Sequence, residues 1–469
     1  MLPFRLSEIV QQMDGRIIHG RDDHIIKHVS KRTKKDIDHH TLLFHVNRDP
    51  INGQYWSREK SVAVVTDAAG HCTNLHDEIS VVAVDNVEEA YWKFIDYYRN
   101  LFDIPVIGIT GTCGKTTTKE MIAQILEHDY NIEYTWMSMN SMSVNLRYLM
   151  RLTEETEMAV YEMPVAYPGY LKIACRYFKP QIRVLLNIDV YHLADCETPE
   201  VYRKAKGEIT DGLDPETGIL ILNGDDDNIK RVVDISPFKH VIYFGKGEGM
   251  PFRAQDIQYA NQGMKFILQY EGASHEVYVP GWGEHNVYNA LAALAAVTSA
   301  GVEIEKAIQY LAEFEHIEEH LEFKSGANGS TVIDDTWNSS PLSMKTGLQV
   351  LKEAAKGKTS IALLGYMPQL GESQYAALEY RKLGEIVVRI GIDELIVVGK
   401  EAEAIGKGAL DTGMDPSKVF FCETGTELHA RLQDKLKEDT VILLKITHRV
   451  MEQLDFKIFK NFLIPHMDE

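Results

Sequence analysis

The run Gly108-Ile109-Thr110-Gly111-Thr112-Cys113-Gly114-Lys115-Thr116-Thr117-Thr118-Lys119-Glu120 restricts the fold more than any other stretch of the chain. An apolar, strand-like segment (105–109) precedes it and a helix-like segment (116–127) follows. A glycine turn from strand into helix aims successive backbone N–H groups at one point, and the helix start adds partial positive charge there. That arrangement suits a polyphosphate. Lys115 is spaced to reach terminal phosphates and Thr116 to offer its hydroxyl to Mg2+. Gly111, Thr112, Gly114 and Thr117 complete the candidate loop. A tight turn with a chance lysine is the alternative, and it leaves the three threonines unexplained. The common GxxxxGK[ST] pattern is not kept, because Ile109 holds the first glycine's place.

At 469 residues the chain has room for roughly two to four domains. With 45% hydrophobic and 25% charged residues it has the composition of a globular protein. A net charge of −20 argues against a general nucleic-acid binder, since a phosphate backbone needs a basic surface. Anionic small molecules need only a local positive pocket. The five cysteines (Cys72, Cys113, Cys175, Cys196, Cys422) are scattered without a CxxC pair, so neither a zinc cluster nor a disulfide framework is indicated. The first eight residues lack a signal peptide's apolar core, and no run has bilayer-spanning length. The expectation is a soluble cytoplasmic protein with no membrane span.

Hydrophobic pattern divides the chain into three domains: 1–98, 99–315 and 316–469. In the first, 6–13 reads as a short helix, 79–84 as a buried strand and 87–102 as an amphipathic helix. Strands and helices then alternate, with strands at 158–161, 182–188 and 241–244. A hairpin of 266–270 and 276–279 surrounds Glu271-Gly272-Ala273-Ser274, and an alanine-rich helix spans 287–300. Beyond 316 strands fall at 331–333, 361–364, 395–398, 419–421 and 441–444, with helices at 343–355 and 377–389. Such alternation implies an α/β fold of mostly parallel sheets covered by helices on both faces.

Several side chains punctuate these elements. Glu162 follows an apolar strand, where α/β sheets hold ligands, and with Thr116 it could bind Mg2+. Taken alone it reads as a strand-end surface acid. His192 follows another strand, although a lone histidine is usually structural or solvated. Lys204-Ala205-Lys206-Gly207-Glu208-Ile209 reads by itself as a charged helix face. Asn286 and Asn289 lie three apart at a helix start and share one face, where their amides can read the edge of a base. Asp334-Asp335 could merely open a loop. Leu222-Asn223-Gly224-Asp225-Asp226-Asp227 reads as a strand and a turn with no catalytic part. The basic cluster Lys31, Arg32, Lys34 and Lys35 reads as a solvated loop rather than a diphosphate site.

Taken together, these segments resemble the Mur ligase superfamily, which also holds the folylpolyglutamate synthetases. The loop Gly-Thr-x-Gly-Lys-Thr-Thr is similar to theirs. Glu162-Met163 with Pro168-Gly169 resembles E-M-x-x-x-x-P-G, and Asn187-Ile188 with His192-Leu193 resembles N-I-x-x-x-H-L. Gly283 to Ala293 resembles G-x-H-N-x-x-N-x-x-A-A. The run 333–344, with Asp334, Asp335, Trp337, Asn338 and Pro341, resembles D-D-x-Y-N-A-N-P-x-S-M of the MurF type, the UDP-N-acetylmuramoyl-tripeptide–D-alanyl-D-alanine ligases. Leu364 to Glu372 resembles that type's L-G-x-M-x-E-L-G-E. The resemblance covers most of residues 100–455, in the family's order.

It implies a substrate domain of UDP type, a central P-loop ATPase domain and a C-terminal Rossmann-like domain. The implied reaction uses ATP and Mg2+ to convert a carboxylate into an acyl phosphate, which an amine attacks to give an amide. Lys115, Glu162, His192 and Lys206 are the implied catalytic residues. Thr116, Glu162, His192 and a carbamylated Lys206 would serve the metals. Asn286 and Asn289 would lie beside adenine, Asp335 on the ribose and Asn338 near the nucleotide. The implied partners are a carboxylate acceptor, UDP-linked in the family's manner, and an amino acid or dipeptide; a monomer is expected.

The departures keep other readings open. Tyr366 and Gln369 replace acidic residues, Glu319-His320 stands for a Gly-Arg, and Lys445-Ile446-Thr447 for Lys-Gly-Ser. The acceptor-side segment 137–146 lacks its Gly and Pro. Val29 to Lys34 follows V-S-x-D-S-R without the Asp-Ser-Arg. A paralogue joining another carboxylate and amine in specialised metabolism is one alternative; a non-catalytic nucleotide-binding regulator is another.

Overall fold

The computed structural model describes residues 1–31 and 37–465. The chain divides into two compact units. One comprises Met1–Val106, Asp129–Tyr161 and Ile173–Pro180; the other comprises Ile107–His128, Glu162–Lys172 and Gln181–Glu469. Both are α/β, as the alternating pattern predicts.

In the first unit five strands lie in the order Arg16–His19, Ile79–Ala83, Val62–Thr66, Thr41–Phe44 and His28–Ser30. The first pair is antiparallel and the others are parallel. Thr41–Phe44 and Val62–Thr66 are buried along their whole length, which explains their unbroken apolar runs. Only the strand at 79–83 is predicted from the sequence; the equally long Val62–Thr66 and the three shorter strands are not. Helix Val87–Asn100 starts on Asn86, whose side chain accepts the N–H groups of Glu88 and Glu89. It buries Tyr91, Phe94, Ile95 and Tyr98, with Tyr91 edge-on to Phe44 at 5.1 Å. Of the basic cluster, Lys31 pairs with Glu88 at 3.0 Å and lies 3.9 Å over the Tyr91 ring. Arg32, Thr33, Lys34 and Lys35 fall outside the described residues.

The second unit holds two sheets. In one, strands Val106–Thr110, Ile182–Leu185, Ile219–Asn223 and His240–Gly245 run side by side in parallel. Phe252–Ala260, Gly263–Tyr270 and Ala273–Pro280 extend it as an antiparallel meander. The expected hairpin is tighter than the sequence implies. Glu271 (φ 48°) and Gly272 (φ 80°) alone make the turn, a two-residue loop with both φ positive, so both strands are longer. Helix Glu284–Ser299 buries nearly all its small side chains, and Ala-rich packing lets its neighbours approach closely.

The other sheet has the order Glu322–Ser325, Thr331–Asp334, Thr440–Lys445, Thr359–Leu364, Glu394–Val398 and Val419–Cys422. All pairs but the first are parallel. Residues alternate between faces: Ile333, Ala362, Leu364, Leu395 and Leu443 pack on one side, and Val332, Ile361, Leu363, Ile396, Ile442 and Leu444 on the other. The last strand of the chain therefore lies in the middle of the sheet, and it brings Lys445 beside the end of Thr331–Asp334. Among the described residues no helix is long and apolar enough to cross a membrane.

Candidate active site

Strand Val106–Thr110 delivers the chain into the loop, and helix Lys115–Glu127 leaves it. Gly114 is the turning point at φ 84°. A side chain there would be strained and would also strike Asn289 Oδ1. A Cβ at Gly111 would come within 2.9 Å of Leu186 Cβ. Asn187 clamps the loop tip from below: it accepts the Cys113 N–H at 2.9 Å and donates to the Cys113 carbonyl at 3.0 Å. Gly114, at the N-cap of the helix that follows, has no side chain with which to cap it. The first N–H groups of that helix are therefore presented to whatever the loop encloses.

Two lysines meet at one atom. Lys115 Nζ donates to the Gly111 carbonyl at 3.1 Å and to that of Thr112 at 3.2 Å. Lys206 Nζ donates to the same Gly111 oxygen at 2.7 Å and to Thr110 Oγ1 at 3.1 Å. Lys206 is buried, and that burial, reinforced by Lys115, holds its ammonium well below the usual lysine range. The charged-face reading of 204–209 is thus corrected. Within helix Pro199–Gly207, Lys204 is exposed while Lys206, two residues on, points inward.

Thr116 donates its hydroxyl to Glu162 Oε2 at 3.0 Å, so the two oxygens expected to serve Mg2+ are adjacent. Glu162 is buried at the end of strand Met158–Glu162 rather than at the surface. His192 (φ 49°) opens a short helix, Leu193–Cys196, with its ring 5.9 Å from that of Tyr202. Its Nδ1 is buried and has no hydrogen-bond partner among the described residues. Burial, then Lys206 and Lys115, pushes the imidazole down to about 3, so it is neutral at pH 7. Among the described residues no three His, Cys, Asp or Glu groups cluster to hold an ion. Thr116 and Glu162 fit a Mg2+ that takes its remaining ligands from phosphates and water. The neutral imidazole, with Nδ1 unengaged, fits the same kind of neighbour.

On the other side of the loop lies a cavity of about 860 Å3. Cys113, Gly114 and Thr117 line it from the loop, Asn286 and Asn289 from helix Glu284–Ser299, and Asp335 from the second sheet. Lys115, Thr116, Glu162, His192, Lys206 and Asn338 do not line it. Asn338 still reaches the loop side, accepting the Tyr191 hydroxyl at 2.9 Å, and Cys113 Sγ lies 3.1 Å from Ser340 Oγ. The predicted residues therefore fall into two groups, a cationic one at 110–116 and a cavity beside it.

Sequence reasoning gave no part to Asn187, Tyr191, Tyr202 or Lys445. Asn187 and Lys445 stand inside quoted motifs; Tyr191 and Tyr202 carry no local signal. Asp225, Asp226 and Asp227, read as a plain turn, also line the cavity. Asp226 accepts the Ile188 N–H at 2.7 Å and caps helix Asp227–Val232; Asp225 accepts the Tyr288 hydroxyl at 2.7 Å. These acids shape the cavity wall. At the Gly-Arg departure His320 lines the cavity, between Glu319 (φ 57°) and Leu321 (φ 55°).

Loop, helix and cavity together define a nucleotide-binding α/β protein. Two family models match the sequence: the Mur ligase middle domain over residues 109–297, and the Mur ligase, glutamate ligase domain over residues 321–445. The UDP-N-acetylmuramoyl-tripeptide–D-alanyl-D-alanine ligase of Escherichia coli (strain K12) is 30% identical over 329 residues, 70% of this chain and 72% of that protein. The enzyme of that name from Bacillus subtilis (strain 168) is 26% identical over 446 residues, 94% and 95% of the two chains. A crystal structure of MurF from Acinetobacter baumannii has the same fold, with a TM-score of 0.81, 24% identity and coverage of 98% and 99%. The chain belongs to the Mur ligase family.

Proposed function

We propose that this chain is an ATP-dependent, ADP-forming carboxylate–amine ligase that adds D-alanyl-D-alanine to UDP-N-acetylmuramoyl-tripeptide in peptidoglycan synthesis. The observation that carries the reading is the meeting of Lys115 and Lys206 on the Gly111 carbonyl, at an uncapped helix N-terminus. Two ammonium groups crowded on one neutral oxygen favour the arrival of an anion. The names of the E. coli and B. subtilis relatives support the choice of substrates.

In this reading Lys115 and the loop N–H groups at 111–117 bind the ATP phosphates. Asn286 and Asn289 face the base in the cavity, and Asp335 and Asn338 the sugar side. Thr116 and Glu162 would hold Mg2+, and His192 would serve a second. Bound Mg2+ screens the charge between the carboxylate and the γ-phosphate. The substrate carboxylate oxygen attacks the γ-phosphorus, ADP leaves, and the amine then displaces phosphate from the acyl carbon. Burial disfavours the Lys206 ammonium; as a carbamate this side chain would present an anion beside Glu162. The three domains take the roles of acceptor binding (1–98), ATP binding (99–315) and closure over the nucleotide (316–469). The enzyme acts as a cytoplasmic monomer.

One observation favours a different substrate pair. The acceptor-side segment lacks the family's Gly and Pro and exposes Trp136, Met137 and Met139. Phosphate release from ATP, measured with each substrate alone and with both, decides between the readings. Release only with both, and the amide product in the mass spectrum, is expected. ATP binding without release under those conditions would transfer the assignment to another carboxylate and amine.

A further inference from the structure

Lys445 ends the strand Thr440–Lys445, between Thr331–Asp334 and Thr359–Leu364. Its side chain is 2% exposed. The ammonium lies 2.7 Å from Asp335 Oδ2 and donates to the Asn338 carbonyl at 2.6 Å. One cation thus ties both ends of the segment 335–338. Asp335 is held from behind as well, by its own N–H on the Leu444 carbonyl at 3.1 Å. The loop half of the site grips the same segment from the other side, through Tyr191 on Asn338 and Cys113 on Ser340. The other titratable groups near this pair are His316, His285 and Cys113.

Asp335 lines the cavity, and the phosphate loop lines it opposite. A bare carboxylate there would repel a polyphosphate, and in a partly buried site water screens that repulsion poorly. We propose that Lys445 is a positioning residue for the nucleotide: it neutralises Asp335 and fixes 335–338, so that a carboxylate can meet the nucleoside without repelling the phosphates. This rests on the ATP-binding reading above. The role is electrostatic, so it must act on charged nucleotides more than on the uncharged nucleoside.

The test is calorimetric binding of ADP and of adenosine to the whole protein and to three variants, with melting temperature as the check on folding. Lys445→Met should weaken ADP about tenfold more than adenosine, because it leaves Asp335 uncompensated. Asp335→Asn should shift the ADP-to-adenosine affinity ratio the opposite way, because it leaves the lysine uncompensated. The double variant should return the ratio to within about twofold of wild type. If Lys445→Met alone fails to fold, Asp335→Asn and the double variant still carry the comparison. Ratios equal across the variants, or a double variant whose ratio stays as low as that of Lys445→Met, would overturn the proposal. Wild-type protein that binds neither compound would overturn the ATP-binding reading as well.

Discussion

The segments 111–117 and 335–340 both leave the C-terminal end of a parallel strand and both enter a helix, yet they handle buried charge and helix ends in opposite ways. The first puts two lysines on one neutral oxygen and starts its helix at Gly114, with no side chain on the terminal N–H groups. The second matches Asp335 with Lys445 and closes its helix with Ser340, whose side chain accepts the Ser343 N–H ahead of Pro341. A helix start closed by its own residues is finished structure. One left open beside surplus positive charge is arranged for something from solution. Local architecture is the same; capping and charge balance decide which loop binds and which supports.

Lys115→Ala bears hardest on this contrast. Phosphate release should fall by about a thousandfold or more, with little change in melting temperature; turnover that persists in pure variant protein would break the assignment of the open loop. Gly114→Ala should come next. The methyl group is strained at φ 84° and collides with Asn289, so ADP binding should weaken by about a hundredfold. A variant that binds ADP normally would show that the loop tip does not need its left-handed turn. Ser340→Ala should do the reverse, costing about 1 kcal/mol of stability in denaturant unfolding and changing ADP affinity little. A large affinity loss with unchanged stability would erase the distinction between the two loops.

The smallest effect is on pH. His192 and His285 are both held down to about 3, first by burial. The unfolded chain takes up their protons near pH 6.5, while the folded chain does not until about 3. Stability from these groups is therefore complete above about pH 6.5 and declines as pH falls toward 3. His285→Asn should flatten the loss of melting temperature between about pH 6.5 and 4.5 relative to wild type. Parallel curves for the two proteins would show that His285 titrates as in the unfolded chain.

The phosphate loop was legible because backbone geometry demands particular residues there. Gly114 has to be glycine, and the strand before it and helix after it have clear periods. The α/β class followed from the same alternation. Lys206 was reached only through the resemblance, because composition describes a helix segment whereas burial depends on rotation; a step of two residues turns roughly 200° about the axis. Lys445 stands in the segment compared with Lys-Gly-Ser, but its pairing with Asp335 was invisible for a related reason. It ends an apolar strand like any solvated lysine, and only the insertion of that last strand beside Thr331–Asp334 brings it to Asp335. The sheet of the first unit was read least well. Its strands are three to five residues long, and Thr41–Phe44 and Val62–Thr66, buried on both faces, present no alternation to detect.

The meeting of Cys113 and Ser340 has a practical consequence. Their side-chain atoms are 3.1 Å apart although the residues are 227 positions apart in the chain. A second thiol at 340, introduced by Ser340→Cys, would let a mild oxidant stitch the two loops together and a reductant release them. The cavity would then carry a reversible clasp, and turnover could be timed by chemistry that leaves Lys115, Glu162 and Asp335 untouched.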